Sequence, residues 1–152
     1  MKPDILPTYL NAWRLFITAH ARIISAIDHD MAAADVIPLN WYDVLIELYE
    51  APDHRLRMSD LAERVVLTRS GLTRLVDRLE QNNYIIRETD PHDRRGFYAV
   101  LTDAGVAAMR AAWPVYARGI QDLFVQYMDQ AQAQMLTDLF EKILHDLNDL
   151  KE

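Results

Sequence analysis

The sequence predicts a mainly α fold with one small β-hairpin. Three observations carry that prediction. Apolar residues recur at three- and four-residue steps through most of the chain, two short β-branched and aromatic runs flank a polar stretch at 89–96, and 152 residues hold only 4 Gly and 6 Pro. With 51% hydrophobic and 26% charged residues, the chain has the composition of one globular domain or a small two-lobed unit rather than a disordered one.

From the N-terminus, residues 8–33 set Leu10, Trp13, Ile17, His20, Ile24 and Ile27 on one face of a long helix, which Pro38 closes. His20, on that apolar stripe, is expected to be buried. Asn40 is the expected N-cap of a second helix over 41–50, with Val44, Leu45, Leu48 and Tyr49 buried and Ala51-Pro52 as its stop. A short third helix runs from Met58 or Ser59 to Val65, burying Leu61, Ala62 and Val65, and Val66-Leu67 forms a turn. Thr68 then caps a fourth helix over 68–82, because its side-chain oxygen can accept from the free amides of the first turn.

In that fourth helix Leu72, Leu75, Val76 and Leu79 stand at i, i+3, i+4 and i+7 and face inward. Arg69, Ser70, Thr73, Arg74, Asp77 and Arg78 are left outward. Gly71, in the first turn, costs about 1 kcal/mol of helix propensity relative to alanine. Asn83 ends the helix as the non-glycine residue type best suited to a left-handed cap. Residues 84–88 and 97–101 read as the hairpin strands, joined by a loop that contains Asp90-Pro91-His92-Asp93-Arg94-Arg95-Gly96. Thr102 restarts helix to about residue 127, with Pro114 expected to kink it. In the last segment Leu136, Phe140, Ile143, Leu147 and Leu150 are spaced four, three, four, three, an a/d seam. The first and last helices carry more apolar stripe than a small central module could cover, which favours pairing with a second subunit.

Charge is distributed as unevenly as hydrophobicity. The chain carries −7 in all, yet His54 to Arg95 holds nine arginines against seven acids. A basic centre between acidic flanks suits a phosphate-binding face on a body that repels phosphate elsewhere. Helix, tight turn, helix and hairpin form a winged helix-turn-helix, which delivers a helix to the major groove and a β-loop to the neighbouring minor groove of double-stranded DNA. Ser70 and Thr73 can approach base edges or phosphates, Arg74 can fork onto a guanine edge or a phosphate, and Arg69 and Arg78 are placed for phosphates. On this face alone a solvated helix with internal pairs such as Asp77 with Arg74 explains the residues equally well. Adjacent Arg94 and Arg95 at a hairpin tip suit the negative potential of a narrow minor groove, and Asp93 is expected to brace one of them by a salt bridge.

Leu61-Ala62, Thr68 to Glu80, Arg87, Asp90-Pro91, Asp93-Arg94-Arg95 and Val100-Leu101-Thr102 followed by Gly105 together resemble the MarR family of bacterial transcriptional regulators. The resemblance covers Met58 to Gly105, and the helices on either side agree with the family's N- and C-terminal dimerisation helices. It implies a homodimer on a pseudopalindromic operator, usually a repressor, relieved by a small aromatic or anionic effector. By position, Ser70, Thr73 and Arg74 match the recognition-helix contacts, Arg95 the wing arginine of the minor groove, and Asp93 the acid that orients it. Where the family commonly has Gly before the first wing strand, this chain has Asn83. The implied division is 1–36 and 115–152 as dimerisation helices around a DNA-binding module at 37–114. The family's ligand cleft, between the dimerisation helices and the winged module, matches regions containing Trp13, His20, Trp41, Trp113 and Tyr116, with Arg14 and Arg22 as anion partners.

Several classes are excluded or disfavoured. The chain has no cysteine, so thiol sensing and cysteine-ligated metal are closed to it. A metal set of Asp28, His29 and Asp30 with His145 and Asp146 is disfavoured, since adjacent helical residues point apart. Without a Gly-rich phosphate loop or a nucleophile–base pair, no enzyme and no cofactor is expected. No leader or membrane-length apolar run appears, so a cytoplasmic protein is expected. The rival to a DNA-binding regulator is a winged-helix module whose arginines meet an acidic protein.

Overall fold

The computed structural model describes residues 5–65 and 69–149, and for Arg69 the backbone only. The Thr68 cap, the Val66-Leu67 turn and Leu150 fall outside these residues. Six helices and a three-stranded antiparallel sheet make up the described chain: α1 (Pro7–Ala33), α2 (Leu39–Glu50), β1 (Arg55–Arg57), α3 (Met58–Arg64), α4 (Arg69–Gln81), β2 (Ile85–Asp90), β3 (Asp93–Leu101), α5 (Asp103–Leu123) and α6 (Gln130–Asp149). The strands lie in the order β1-β3-β2, a winged helix-turn-helix between long terminal helices.

One core holds the central module. Leu45 and Leu48 of α2, Leu61 of α3, Leu72, Val76 and Leu79 of α4 and Ile85 of β2 are essentially inaccessible to water. The inward stripe of α4 is as the spacing predicts, with Leu75 the most exposed of its four residues at 5%. Asn83 ends that helix at φ 58, in the left-handed region. Its N–H donates to the Glu80 carbonyl at 2.9 Å and the Tyr84 N–H reaches back to the Leu79 carbonyl at 2.9 Å, the paired bonds of a Schellman cap.

The second helix starts earlier than the sequence suggests. Asn40 lies inside it, Pro38 holds the N-cap position, and the free Leu39 N–H donates to Asp28 of α1 at 3.0 Å. The cap thus comes from another helix, a partner no local pattern reveals. Tyr49, expected inside, is exposed and stacks on His54 at 5.1 Å. That contact forms because Asp53 and His54 both take positive φ and turn the chain back on the helix end.

Strand β1 was not foreseen. At three residues, with Leu56 its only buried side chain, it is too short for alternation to register. The hairpin strands run further than expected, leaving only Pro91-His92 as the turn.

Thr102 caps α5 by accepting the Gly105 N–H at 3.0 Å while its hydroxyl donates to the Asn83 carbonyl at 2.7 Å. The start of α5 is thereby fastened to the end of α4. Gly105 is required there, since a Cβ would sit 2.3 Å from the Tyr84 carbonyl oxygen. Pro114 sits inside α5 without ending it, and the helix stops at Leu123 rather than near Tyr127, a separate 3-10 turn covering Val125–Tyr127.

The terminal helices are apolar but uncovered. In α1 only Ile27 and Met31 are buried, where Gly119 lets α5 approach Ile27. Trp13, Leu15, Ile17 and Ile24 are exposed. No residue of α6 is buried, and Ile143, Leu144 and Leu147 are 43%, 60% and 50% accessible. No described helix is long and apolar enough to cross a membrane.

Candidate nucleic-acid interface

The arginines of the central segment divide into two groups by what they touch. Arg87 on β2 pairs with Glu80 at 2.7 Å and with Asp77, both on α4, and its guanidinium lies 5.1 Å over the Phe97 ring. Arg55 pairs with Glu88 at 3.1 Å and lies 4.1 Å over Tyr98. Arg57 pairs with Asp90, and its Nε donates to the Tyr98 hydroxyl at 3.2 Å. That hydroxyl, and after it the Asp90 carboxylate, hold the Arg57 guanidinium above even its ordinary high pKa. Arg64 reaches Glu47 at 3.7 Å. These four brace the fold.

Arg74 and Arg78 on α4 and Arg94 and Arg95 on the wing are exposed, and none enters an ion pair among the described residues. The acids that could neutralise them are engaged elsewhere. Asp77 goes to Arg87, not to Arg74, which removes the self-paired helix as an account of this face. Ser70 and Thr73 lie exposed on the same helix. The result is a helix and a strand tip that present unneutralised guanidinium groups beside small hydroxyls, the chemistry of phosphate and base-edge contact.

The wing tip is built by two aspartates. Asp90, only 4% exposed, accepts the His92 N–H at 2.9 Å and so closes the turn. Asp93 accepts the Arg95 N–H at 3.0 Å. This corrects the expected salt bridge: Asp93 braces the backbone of Arg95, because a short carboxylate reaches the amide two residues on more readily than a guanidinium beyond it. Register completes the device. Thr89 pairs with Phe97 and Asp90 with Asp93, so a single step on β2 spans Arg94, Arg95 and Gly96 on β3. The two arginines occupy a bulge, which throws them out of the ladder.

The roles of Arg87 and Arg57 as braces were the least legible in the sequence. A signal for Arg87 was present in Asp77 and Glu80, which stand three apart on one side of a basic helix and call for a shared cation. Arg57 and Asp90 lie too far apart in sequence for any spacing rule.

The five aromatic and histidine ligand candidates do not converge. Trp113 and Tyr116 meet each other with centroids 6.0 Å apart, and both meet Tyr42. Together they line a cleft of about 460 Å³ between α2 and α5, with Asp43, Ile46, Glu50 and Ile120. Trp13 and His20 instead flank Phe16 on α1, and Phe16 lies 5.5 Å from Phe140 of α6. His20 is exposed rather than buried, because the stripe it belongs to has no cover. Trp41 packs edge-on against Tyr84. Among the described residues no three His, Asp or Glu gather closely enough to hold a metal. Asp28 is occupied as a helix cap, and His145 lies against Asp149.

Known proteins carry the same fold. Residues 37–96 match the MarR family. A MarR family transcriptional regulator from Streptomyces coelicolor, solved in complex with DNA, is 30% identical and superposes with a TM-score of 0.87 over 96% of this chain and 92% of its own. The uncharacterized HTH-type transcriptional regulator YkoM of Bacillus subtilis is 28% identical over 136 residues, 90% of this chain and 86% of that protein. The HTH-type transcriptional repressor YetL, also of Bacillus subtilis, is 30% identical over 105 residues, 67% of this chain and 63% of that one. With a winged module whose unpaired arginines lie on the recognition helix and wing, the chain belongs to the MarR family and is a DNA-binding transcriptional regulator.

Proposed function

We propose that this regulator acts as a homodimer on a pseudopalindromic operator, as a repressor whose DNA binding is relieved by a small ligand. The observation that carries the reading is the division of the arginines: Arg55, Arg57, Arg64 and Arg87 are spent on carboxylates, while Arg74, Arg78, Arg94 and Arg95 are not. In this reading Ser70, Thr73 and Arg74 read base edges in the major groove, Arg69 and Arg78 hold phosphates, and Arg95 with Arg94 enters the minor groove. Asp93 shapes the bulge that presents them.

The apolar surfaces of α1 and α6 support the dimer. Exposed leucine, isoleucine and phenylalanine along both helices favour association at about 25 cal/mol per Å² removed from water. Residues 1–36 and 115–152 then form the dimerisation part and 37–114 the DNA-binding part. Repression is supported by the likeness to YetL. The cleft lined by Trp113 and Tyr116 is the ligand site in this reading, and the chain works by binding rather than by an enzymatic reaction.

The test is binding of the full chain to a fragment of its own promoter region at two salt concentrations, with sedimentation of the free protein. Preference for that fragment over random DNA, with a steep loss of affinity as salt rises, is expected. Leu147→Asp should yield monomers with much weaker operator binding. Absence of any preference at low salt would overturn the regulatory reading in favour of a protein-interaction module.

A further inference from the structure

The apolar support of the wing runs out before its arginines. At the base of the sheet Leu56, Ile85, Ala99 and Leu101 are buried, further along Phe97 and Tyr98 are half-buried, and Asp93, Arg94 and Arg95 are exposed. Burial therefore holds the base of the wing and not its tip, whose position is left to polar contacts.

One carboxylate stands at that tip out of water. Asp90 is the last residue of β2, opposite the start of the bulge that holds Arg94 and Arg95, and its side chain is 1% exposed. Oδ1 accepts the His92 N–H at 2.9 Å and closes the turn. Oδ2 is buried, and its sole partner among the described residues is the Arg57 guanidinium. A desolvated carboxylate is costly unless its charge is met. Arg57 is thus what lets Asp90 stay where the turn needs it.

Arg57 is itself firmly placed. Its Nε donates to the Tyr98 hydroxyl at 3.2 Å, and its guanidinium lies 5.7 Å from the centre of the Tyr98 ring. Strand β1 lies on the opposite side of β3 from β2, with Arg57 opposite Tyr98, so the side chain crosses the middle strand to reach Asp90. Arg57 also occupies the N-cap position of α3. One residue therefore joins the start of the helix-turn-helix to the tip of the wing. The other arginine of β1 makes a pair of a different kind, since the side chains of Arg55 and Glu88 are 35% and 44% exposed and lie nearer the base of the sheet.

We infer that Arg57 is a positioning residue for DNA binding: through Asp90 it fixes the wing tip relative to the helix-turn-helix, so that Arg94 and Arg95 meet the minor groove while α4 occupies the major groove. This rests on the reading that those two arginines enter the minor groove. The two grooves of a duplex stand a set distance apart, so a tip that wanders must be ordered on binding and loses affinity for the second groove.

The exposed part of Arg57 admits a rival role, a direct contact with phosphate, and substitution of Asp90 separates the two. Both groups that face the Asp90 carboxylate are donors, so the amide nitrogen of an asparagine would have to meet one of them. Asp90→Asn therefore loosens the tip while it frees the Arg57 charge.

The experiment is binding of the full chain to a fragment of its own promoter region, for Arg57→Ala and Asp90→Asn, each alone and together with Arg94→Ala and Arg95→Ala. Arg57→Ala should weaken binding about tenfold in the parent chain and less than about twofold in the chain without wing arginines. Asp90→Asn should show the same pattern, with a loss of about threefold to tenfold in the parent. Arg57→Lys, whose ammonium still reaches the carboxylate, should recover part of the loss. Arg55→Ala, which breaks an exposed pair, should lose less than about twofold. Far-ultraviolet spectra establish that each chain is folded, and where Arg57→Ala does not fold the Asp90→Asn cycle decides. Equal losses with and without the wing arginines would overturn the inference and leave the minor-groove reading standing. Tighter binding by Asp90→Asn would do the same, and would make Arg57 a phosphate contact. If removal of Arg94 and Arg95 costs no affinity, the minor-groove reading fails and the inference falls with it.

Discussion

Arg87 on β2 donates to Glu80 on α4 at 2.7 Å, and its other terminal nitrogen reaches Asp77 one turn earlier. One guanidinium therefore sets the angle between the recognition helix and the wing, and it also removes two negative charges from the helix that must approach phosphate. Arg87→Ala should reduce operator affinity by about ten- to a hundredfold while the far-ultraviolet spectrum stays that of a folded chain. It should also cost about 1–2 kcal/mol of stability in urea unfolding. Unchanged affinity would refute the linkage.

Asp93 acts through a backbone amide, so shape rather than charge should matter at that position. Asn offers the same acceptor oxygen as Asp. Asp93→Asn should bind the operator at least as tightly as the parent chain, since it also removes a negative charge, while Asp93→Ala should lose about threefold to tenfold. If both substitutions weaken binding equally, Asp93 works through an ion pair.

Arg74 and Arg95 are expected to fail differently. Arg95→Ala should weaken binding to all sequences and lower the salt slope by about 1, as for a contact with backbone and groove potential. Arg74→Ala should also alter base preference, by about 1–3 kcal/mol at the position it reads. Equal losses on operator and random DNA for both variants would remove the division of roles.

Gly105 has no room for a side chain. A Cβ would meet the Tyr84 carbonyl at 2.3 Å and a Leu101 methyl at 2.7 Å. Because the first of these is backbone, relief requires moving the start of α5 away from β2. Gly105→Ala should cost about 2–3 kcal/mol and lower the thermal midpoint by about 5–10 °C. A midpoint within a degree of the parent would contradict the packing.

The raised Asp43 carboxyl gives a prediction with a defined sign. Its folded pKa lies above the ordinary value, so folding resists its ionisation. Stability present below the ordinary carboxylate pKa is lost as pH rises through the raised one. At neutral pH Asp43→Asn should therefore raise the thermal midpoint slightly, since the side chain is exposed and solvent screens the effect, and the difference should close as the pH falls below the ordinary carboxylate range. A lower midpoint at neutral pH would mean that the carboxylate has a stabilising partner.

Much of the fold was legible because it is written in local spacing. Leu72, Leu75, Val76 and Leu79 declare a buried helical stripe, Asn83 a left-handed end, and the β-branched runs around Asp90-Pro91 a hairpin. The same arithmetic located the outward residues of α4 and the arginines of the wing. It also marked α1 and α6 as apolar, although periodicity alone shows neither that their faces are uncovered nor that His20 is exposed among them.

What the chain's order could not reveal is partnership. Nine arginines in one segment look alike in sequence, and only packing assigns Arg57 to Asp90 and Arg87 to Glu80 while leaving Arg74 and Arg95 unpaired. Strand β1, the cap lent to Leu39 by Asp28, and the meeting of Tyr42 with Trp113 across two helices have the same origin. Periodicity is a property of neighbours in sequence, fixed by 3.6 or 2 residues per repeat, and so one chain suffices to read it. Ion pairs and ring contacts depend on distances between elements, which exist only once the core has closed. The sequence by itself determined that a basic helix and wing would be built, and the tertiary structure decided which of their charges remain for DNA.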